Sequence, residues 1–449
     1  MSSTEVIDAR DPQRQAAKKR RHIDWTKGFL KQLGPGLITG AADDDPSGIA
    51  TYSQVGAKYQ FQLLWVMPLT LPLMAAIQEI SARIGRVTGM GIAGNIRRCY
   101  ARWLLYPTVF LLVVANTINI GADIGAMGDA VHLLVNHGSP MLYAALFSVV
   151  CVVMQVFASY ERTAKYLKWL TLALFAYVVT AFVVHTPWKQ ALHATVVPHL
   201  SVNREMLASL IAVLGTTISP YLFFWQASQE TEEIKADAKA EALKREPRQA
   251  REQFGRIRID TYVGMTFSNL VAYFIILSAA TTIYANGGVD IETSAQAAEA
   301  LRPIAGNFAF ALFTIGIIGT GLLAVPVLAG SAAYAVGEAM AWPIGLQRKF
   351  REARGFYGVI IVATTIGLVI NIPAVQKVTH LTPITALFWS AVVNGVAAVP
   401  IMFVIMRMCH DPGLFGRFTR VSKLLRLMGW AATIAMTLAA IGLLVTSFK

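Results

Sequence analysis

Residues 40–52 read G-A-A-D-D-D-P-S-G-I-A-T-Y, inside an apolar run that extends over 36–58. Three carboxylates, a proline and a glycine occupy what would be the midpoint of a bilayer-crossing helix. A charged side chain at that depth costs several kcal/mol unless it is paired or watered. Pro46 has no N–H to donate to a helical hydrogen bond, and Gly48 loosens the backbone. The expectation is a helix interrupted near Asp45, with Asp45 as N-cap of its second half and Pro46 at the first helical position.

The rest of the chain says that a bilayer is the solvent. Of 449 residues, 55% are hydrophobic and 14% charged, with a mean hydropathy of +0.52. A soluble domain carries about a quarter of its residues as charged side chains. Soluble domains and disordered chains are both excluded. Cys99, Cys151 and Cys409 form no CxxC pair, which excludes a disulfide framework and a zinc ribbon. Apolar runs fall at 36–58, 62–82, 102–131, 141–159, 166–184, 207–228, 260–285, 305–336, 356–373, 382–406 and 427–447. Most match the roughly 20 residues a helix needs to cross, and they are too continuous for barrel strands. The fold class expected is an all-α integral membrane protein.

The net charge of +13 sits in alternate connections, the pattern of a chain oriented in a membrane rather than one that binds nucleic acid. Cations crowd the N-terminus (Lys18, Lys19, Arg20, Arg21), the second connection (Arg83, Arg86, Arg97, Arg98), the fourth (Arg162, Lys165, Lys168), the eighth (Arg348, Lys349, Arg351, Arg354) and the tenth (Arg407, Arg417, Arg420, Lys423, Arg426). The connections between them hold few. The N-terminus is therefore expected in the cytoplasm and the C-terminus outside, in a bacterial-type inner membrane. The first ~33 residues offer no apolar core for a signal peptide. Residues 1–33 read as a basic tail, 34–426 as a ten-helix core and 427–449 as an eleventh helix with a short end. The sixth connection, Glu230 to Asp260, contains E-I-K-A-D-A-K-A-E-A-L-K-R-E-P-R-Q-A-R-E-Q and reads as a solvated helix.

The sixth run repeats the grammar of the first. L-G-T-T-I-S-P-Y-L-F-F (214–224) places Ser219 as a capping oxygen before Pro220, with carbonyls at Thr216 and Thr217 freed toward the interior. Interruptions five spans apart suggest an inverted repeat of five plus five helices. Such repeats hold a transport site at the bilayer midplane. The acids favour a cation, and oxygen donors suit magnesium, calcium or manganese. The candidate metal-binding residues are Asp45, Asp44, Ser47, Gly48, Thr216 and Ser219. Asp43, Asn119, Asp123, Tyr221 and Asn394 are candidates for an ion or proton path. The plainer alternatives are proline kinks, with Asp45 doing no more than capping.

Asn116, Asn119 and Asp123 share a face of the third span, as a polar lining or as interhelical hydrogen-bonding groups. Asn269 and Asn394 carry the same two readings, with packing favoured. Glu79 and Arg83 stand at i,i+4 spacing as an ion pair. Gly316, Gly319, Gly321 and Gly330 read as sites of close helix packing, and Phe223, Phe224 and Trp225 as packing bulk. No Walker loop, GxSxG, GxGxxG or HExxH is present, so neither an ATP-driven pump nor an enzyme is expected.

At G-P-G-L-I-T-G (34–40), D-P-S-G (45–48), S-A-R-I-G-R-V-T-G (81–89), A-D-I-G (122–125) and G-T-T-I-S-P-Y (215–221), the sequence resembles the Nramp family of divalent metal transporters. The resemblance runs over roughly 33–410. It implies a LeuT-type fold, a divalent cation as substrate rather than a resident cofactor, and in many members proton coupling. The departures lie at the site. Where the family has Asp-Pro-Gly-Asn, Asp45 is kept and Gly48 replaces the Asn. Where it has Met-Pro-His, Ser219 replaces the Met and Tyr221 the His. Asp123 matches one third-span acid, and Ala126 stands where another would be. The thioether is the soft ligand that favours transition metals. Its absence points to a harder ion such as Mg²⁺, as in the magnesium-transporting branch of the superfamily. The alternative keeps the fold and changes the cargo to an organic solute coupled to an ion.

Overall fold

The computed structural model describes residues 35–157, 170–199, 201, 203–236, 240–287, 290–379, 382–419 and 421–447. The tail 1–33, with His22, lies outside these residues, as do Arg162, Lys165, Lys168, His380 and Arg420.

Among the described residues, the apolar runs are helical over most of their length. The first span is two helices, Pro35–Asp43 and Pro46–Tyr59, and the sixth is two, Arg204–Thr217 and Pro220–Ala236. The others are Val66–Thr88, Arg102–Val135, Pro140–Phe157, a 3-10 turn Leu170–Leu174 leading into Phe175–Val183, Ala250–Thr282, Ala309–Met340, Arg354–Ile370, Pro383–Cys409 and Lys423–Ser447. Among the described residues, seven helices, counting the two halves of the sixth span as one, are long and apolar enough to cross a membrane unaided. The fifth span ends in a bend of 117° to a further helix, Trp188–Val196. Large apolar side chains such as Trp103, Phe110, Phe157 and Leu438 are exposed, while Asp43, Asn116, Asn119 and Asp123 are fully buried. That inside-out distribution suits a chain solvated by lipid tails.

The ends have local causes. Val66–Thr88 stops where Gly89 takes a left-handed φ of 70°. Pro383–Cys409 starts in a capping box in which Thr382 and Thr385 satisfy each other's backbone N–H. Glycines then let the spans touch. A Cβ on Gly40 would lie 2.3 Å from Gly264 O, and one on Gly56 would lie 2.3 Å from Ile276 O. Both halves of the first span therefore lie backbone to backbone on the seventh. A Cβ on Gly215 would meet Ala391 O at 2.1 Å, which seats the sixth span on the tenth. Gly321 and Gly330 leave room in the same way for Met127 and Trp225.

The sixth connection differs from the expected solvated helix. The sixth span continues to Ala236, so Glu230 is buried inside it. Residues 240–246 form no helix, with a turn at 243–245, and their backbone joins Arg86 and Val87 through Leu243 N to Arg86 O (3.1 Å) and Lys244 N to Val87 O (3.2 Å). Pro247 opens a 3-10 turn, and the seventh span begins at Ala250. Asp260, also assigned to that connection, is buried and accepts from Gly36 N at 2.6 Å. A proline cannot sit in a helix interior without loss of a hydrogen bond. The buried Glu230 has a partner: Arg256 Nη2 lies 2.5 Å from it and 3.0 Å from the partly exposed Glu233.

Candidate functional site

The two interruptions meet in the middle of the helical core. Asp45 has extended backbone dihedrals (φ −69°, ψ 170°) and caps Pro46–Tyr59, with Pro46 in its first turn. Its Oδ1 accepts from Gly48 N at 2.7 Å and from Ser47 Oγ at 2.6 Å. Its Oδ2 faces the other way, accepting from Asn119 Nδ2 at 3.1 Å and, weakly, from Tyr221 OH at 3.5 Å. Capping thus uses one oxygen. The second points toward the third and sixth spans.

Ser219 departs from the expected capping role. Its hydroxyl donates backward, to Gly215 O at 2.7 Å and to Thr216 O at 2.9 Å. The Thr216 carbonyl expected to face the interior is therefore already engaged. The hydroxyl of Thr216 lies beside the first span instead, 3.1 Å from where a Cβ on Gly48 would stand. The ring of Tyr52 flanks the same point at 3.2 Å. Gly48 is what lets the two interruptions approach. Tyr221 OH also donates to Ala42 O at 3.1 Å, bridging the second half of the sixth span to the first half of the first.

The three aspartates do not converge. Asp43 and Asp44 turn to the seventh span, where Ser268 Oγ lies 2.5 Å from Asp43 Oδ2 and 3.0 Å from Asp44 Oδ1. Asp43 Oδ1 and Asp44 Oδ2 are buried without a hydrogen-bond partner. Asp123 lies beside the Ser47 backbone, and neither of its oxygens makes a well-formed hydrogen bond. Among the described residues, none of these four aspartates has a cationic side chain within ion-pair distance. Also among the described residues, no three His, Cys, Asp or Glu side chains converge as a metal cage. The result is a buried cluster of carboxylates, hydroxyls and amides packed around Asp45. Buried charges need a compensating partner.

Two residues that sequence reasoning passed over hold this arrangement. Ser390 donates to Asn119 Oδ1 at 2.7 Å, which fixes the Asn119 amide with its NH₂ toward Asp45. Ser390 is one turn before Asn394, whose buried amide has no partner on either atom. Ser268 is adjacent to Asn269. For Ser390 the four-residue helical spacing from Asn394 was the available signal, while Ser268 lies on a different face from Asn269. Other candidates serve packing: Asn269 donates to Thr70 Oγ1 at 3.1 Å, and Asn116 to Leu328 O at 2.9 Å and Ser331 Oγ at 2.7 Å. Glu79 and Arg83 form the expected ion pair, and Arg83 also lies 4.5 Å over the ring of Phe254.

With this geometry in hand, the chain can be set beside known proteins. The family profile described as Natural resistance-associated macrophage protein-like, Nramp, matches residues 36–446. The divalent metal cation transporter MntH of Caldanaerobacter subterraneus subsp. tengcongensis is 25% identical over 394 residues, covering 84% of this chain and 85% of that protein. MntH of Klebsiella pneumoniae strain 342 is 26% identical over 299 residues, covering 65% and 68%. Among solved structures, the Eremococcus coleocola manganese transporter with a bound aromatic bis-isothiourea compound superposes with a TM-score of 0.75 at 15% identity, over 93% of this chain and 87% of that one. MhsT in complex with L-phenylalanine gives a TM-score of 0.65 at 13% identity, over 92% and 98%. These likenesses show the fold, a LeuT-type membrane architecture.

Proposed function

The chain belongs to the Nramp family, and from that premise we propose that it carries a divalent metal cation across a membrane, by facilitated or secondary-active transport. It is a transporter and not an enzyme. The observation that carries the reading is the first interruption. There Asp45 spends one carboxylate oxygen on its own helix and turns the other to Asn119 and Tyr221.

The donor set argues for a hard ion. Carboxylate and hydroxyl oxygens lie at the site, without a thioether at Ser219 or an imidazole at Tyr221. One carboxylate with neutral oxygens suits an ion that keeps part of its water shell. Mg²⁺ dehydrates reluctantly and is commonly held through one or two carboxylates. Mn²⁺ takes similar oxygen ligands. Asp44 and Asp43, one and two residues before Asp45, turn to Ser268 and add charge nearby rather than direct ligation. A phenol at 221 stays protonated near neutrality and does not shuttle protons there. Obligatory coupling through that position is therefore not part of the proposal. The placement of cations in alternate connections supports a cytoplasmic N-terminus and an external C-terminus.

The test is uptake of Mg²⁺, Mn²⁺ and Ca²⁺ into liposomes holding the purified protein, with internal pH recorded. Saturable uptake of Mg²⁺ or Mn²⁺ with no acidification of the lumen is expected. Uptake of none of the three would refute the reading.

A further inference from the structure

Tyr52 lies on the half-helix Pro46–Tyr59 that Asp45 caps, about two turns beyond Asp45. Long side chains on a helix run back toward its N-terminus. The phenol of Tyr52 does so. Its ring edge lies 3.2 Å from where a Cβ on Gly48 would stand, with Thr216 Oγ1 at 3.1 Å and Asp43 O at 3.6 Å from the same point. The missing side chain at Gly48 lets a first-span phenol and a sixth-span hydroxyl into one place.

Both residues are buried, Tyr52 at 0% and Thr216 at 1% exposure. Among the described residues, neither hydroxyl makes a well-formed hydrogen bond. The two hydroxyls are neighbours, and Asp43, Asp44 and Asp45 all act on that of Tyr52 through space. Tyr221, whose hydroxyl lies 3.5 Å from Asp45 Oδ2, is a further electrostatic neighbour of Tyr52. Thr51 and Ser53 on the same half-helix are also buried with open hydroxyls. A short hydroxyl can turn back to a carbonyl of its own helix. A phenol oxygen, at the far end of a rigid ring, cannot. Burying it open beside three acids is costly unless a partner arrives.

We infer that Tyr52 is a specificity-determining residue for the transported ion: its hydroxyl, with that of Thr216, accepts hydrogen bonds from water the ion keeps when it binds Asp45. The inference rests on the transport reading above and deepens it. Water bound to a cation turns its oxygen to the ion and its hydrogens outward. A neutral hydroxyl accepts such a hydrogen without displacing the water, whereas a carboxylate also competes for the ion. Mg²⁺ gives up its water reluctantly, so it gains most from groups that address the shell. A phenol that served packing alone would be replaced by phenylalanine without a change in ion preference.

Full-length protein in liposomes is assayed for Mg²⁺ and Mn²⁺ uptake as wild type, Tyr52→Phe and Thr216→Val. Both variants keep the side-chain volume and lose the hydroxyl, and if one fails to fold the other carries the test. Each is expected to raise KM for Mg²⁺ about tenfold, the scale of outer groups around a metal, while KM for Mn²⁺ moves by less than about threefold. Titrating the unfolding midpoint in detergent with each ion reads affinity without transport, and the same difference between ions is expected there. A KM for Mg²⁺ that stays at the wild-type value, or a rise equal for both ions, overturns the inference. Wild-type protein that takes up no divalent ion sinks the transport reading. Wild-type protein that takes up Mg²⁺, with Tyr52→Phe indistinguishable from it, sinks the inference alone.

Discussion

The two interrupted spans share a proline in the same place and differ in what precedes it. Before Pro46 stands a carboxylate that accepts from the helix it starts. Before Pro220 stands a hydroxyl that donates to the helix just ended. The direction of one hydrogen bond decides what each interruption offers. Asp45 satisfies a helix N-terminus with one oxygen and turns the other to Asn119 and Tyr221. Ser219 occupies two carbonyls of its own chain, so the sixth span contributes the Tyr221 hydroxyl, the Thr216 hydroxyl and shape. Pseudo-symmetric halves need not supply equal halves of a site.

That asymmetry can be broken at several points. Asp45→Ala should reduce divalent uptake by at least about 100-fold, the scale expected when a charged partner of a desolvated ion is removed. The initial rate of uptake is the measurement, and a rate near wild type would place the charge elsewhere. Asn119→Ala removes the amide that orients the free oxygen of Asp45, with a loss of about tenfold in apparent affinity, as for outer groups that orient a ligand. Substrate titration measures it, and Ser390→Ala should move in the same direction by less. Gly48→Ala presses a methyl against Thr216 Oγ1 and the Tyr52 ring. Overpacking of that kind costs about 1–3 kcal/mol, read as a lower unfolding midpoint in detergent. Ser219→Ala should matter least. It frees two carbonyls for the price of about 0.6 kcal/mol, the mean worth of a side-chain hydrogen bond in a membrane protein, and uptake should remain within about twofold. A collapse of transport in Ser219→Ala would restore the symmetric view.

The spans, the first interruption and the family were legible because they rest on chemistry with little context dependence. Lipid-length apolar runs, a proline that cannot donate, and an aspartate that caps are readable one residue at a time. The direction taken by Ser219 was not, because a hydroxyl both donates and accepts, and only the neighbouring carbonyls decide. The divergence of Asp43 and Asp44 from Asp45 depended on Ser268, which lies 224 residues after Asp44 and whose approach depends on Gly40 and Gly56. Pro247 was visible, yet the surrounding charges suggested a helix that the proline prevents. Ser390 escaped notice because a serine in an apolar span ordinarily bonds its own helix, as it also does here to Leu387 O at 2.7 Å.

The central claim is that a divalent ion binds at Oδ2 of Asp45, the oxygen not used in capping. The most direct measurement is the unfolding midpoint of the purified protein, with and without Mg²⁺ or Mn²⁺, for wild type, Asp45→Asn and Ser219→Ala. An ion at about 100 times its Kd stabilises the folded state by about 2.7 kcal/mol. Wild type and Ser219→Ala should show that rise and Asp45→Asn should not. Equal stabilisation of all three by the metal would contradict the account.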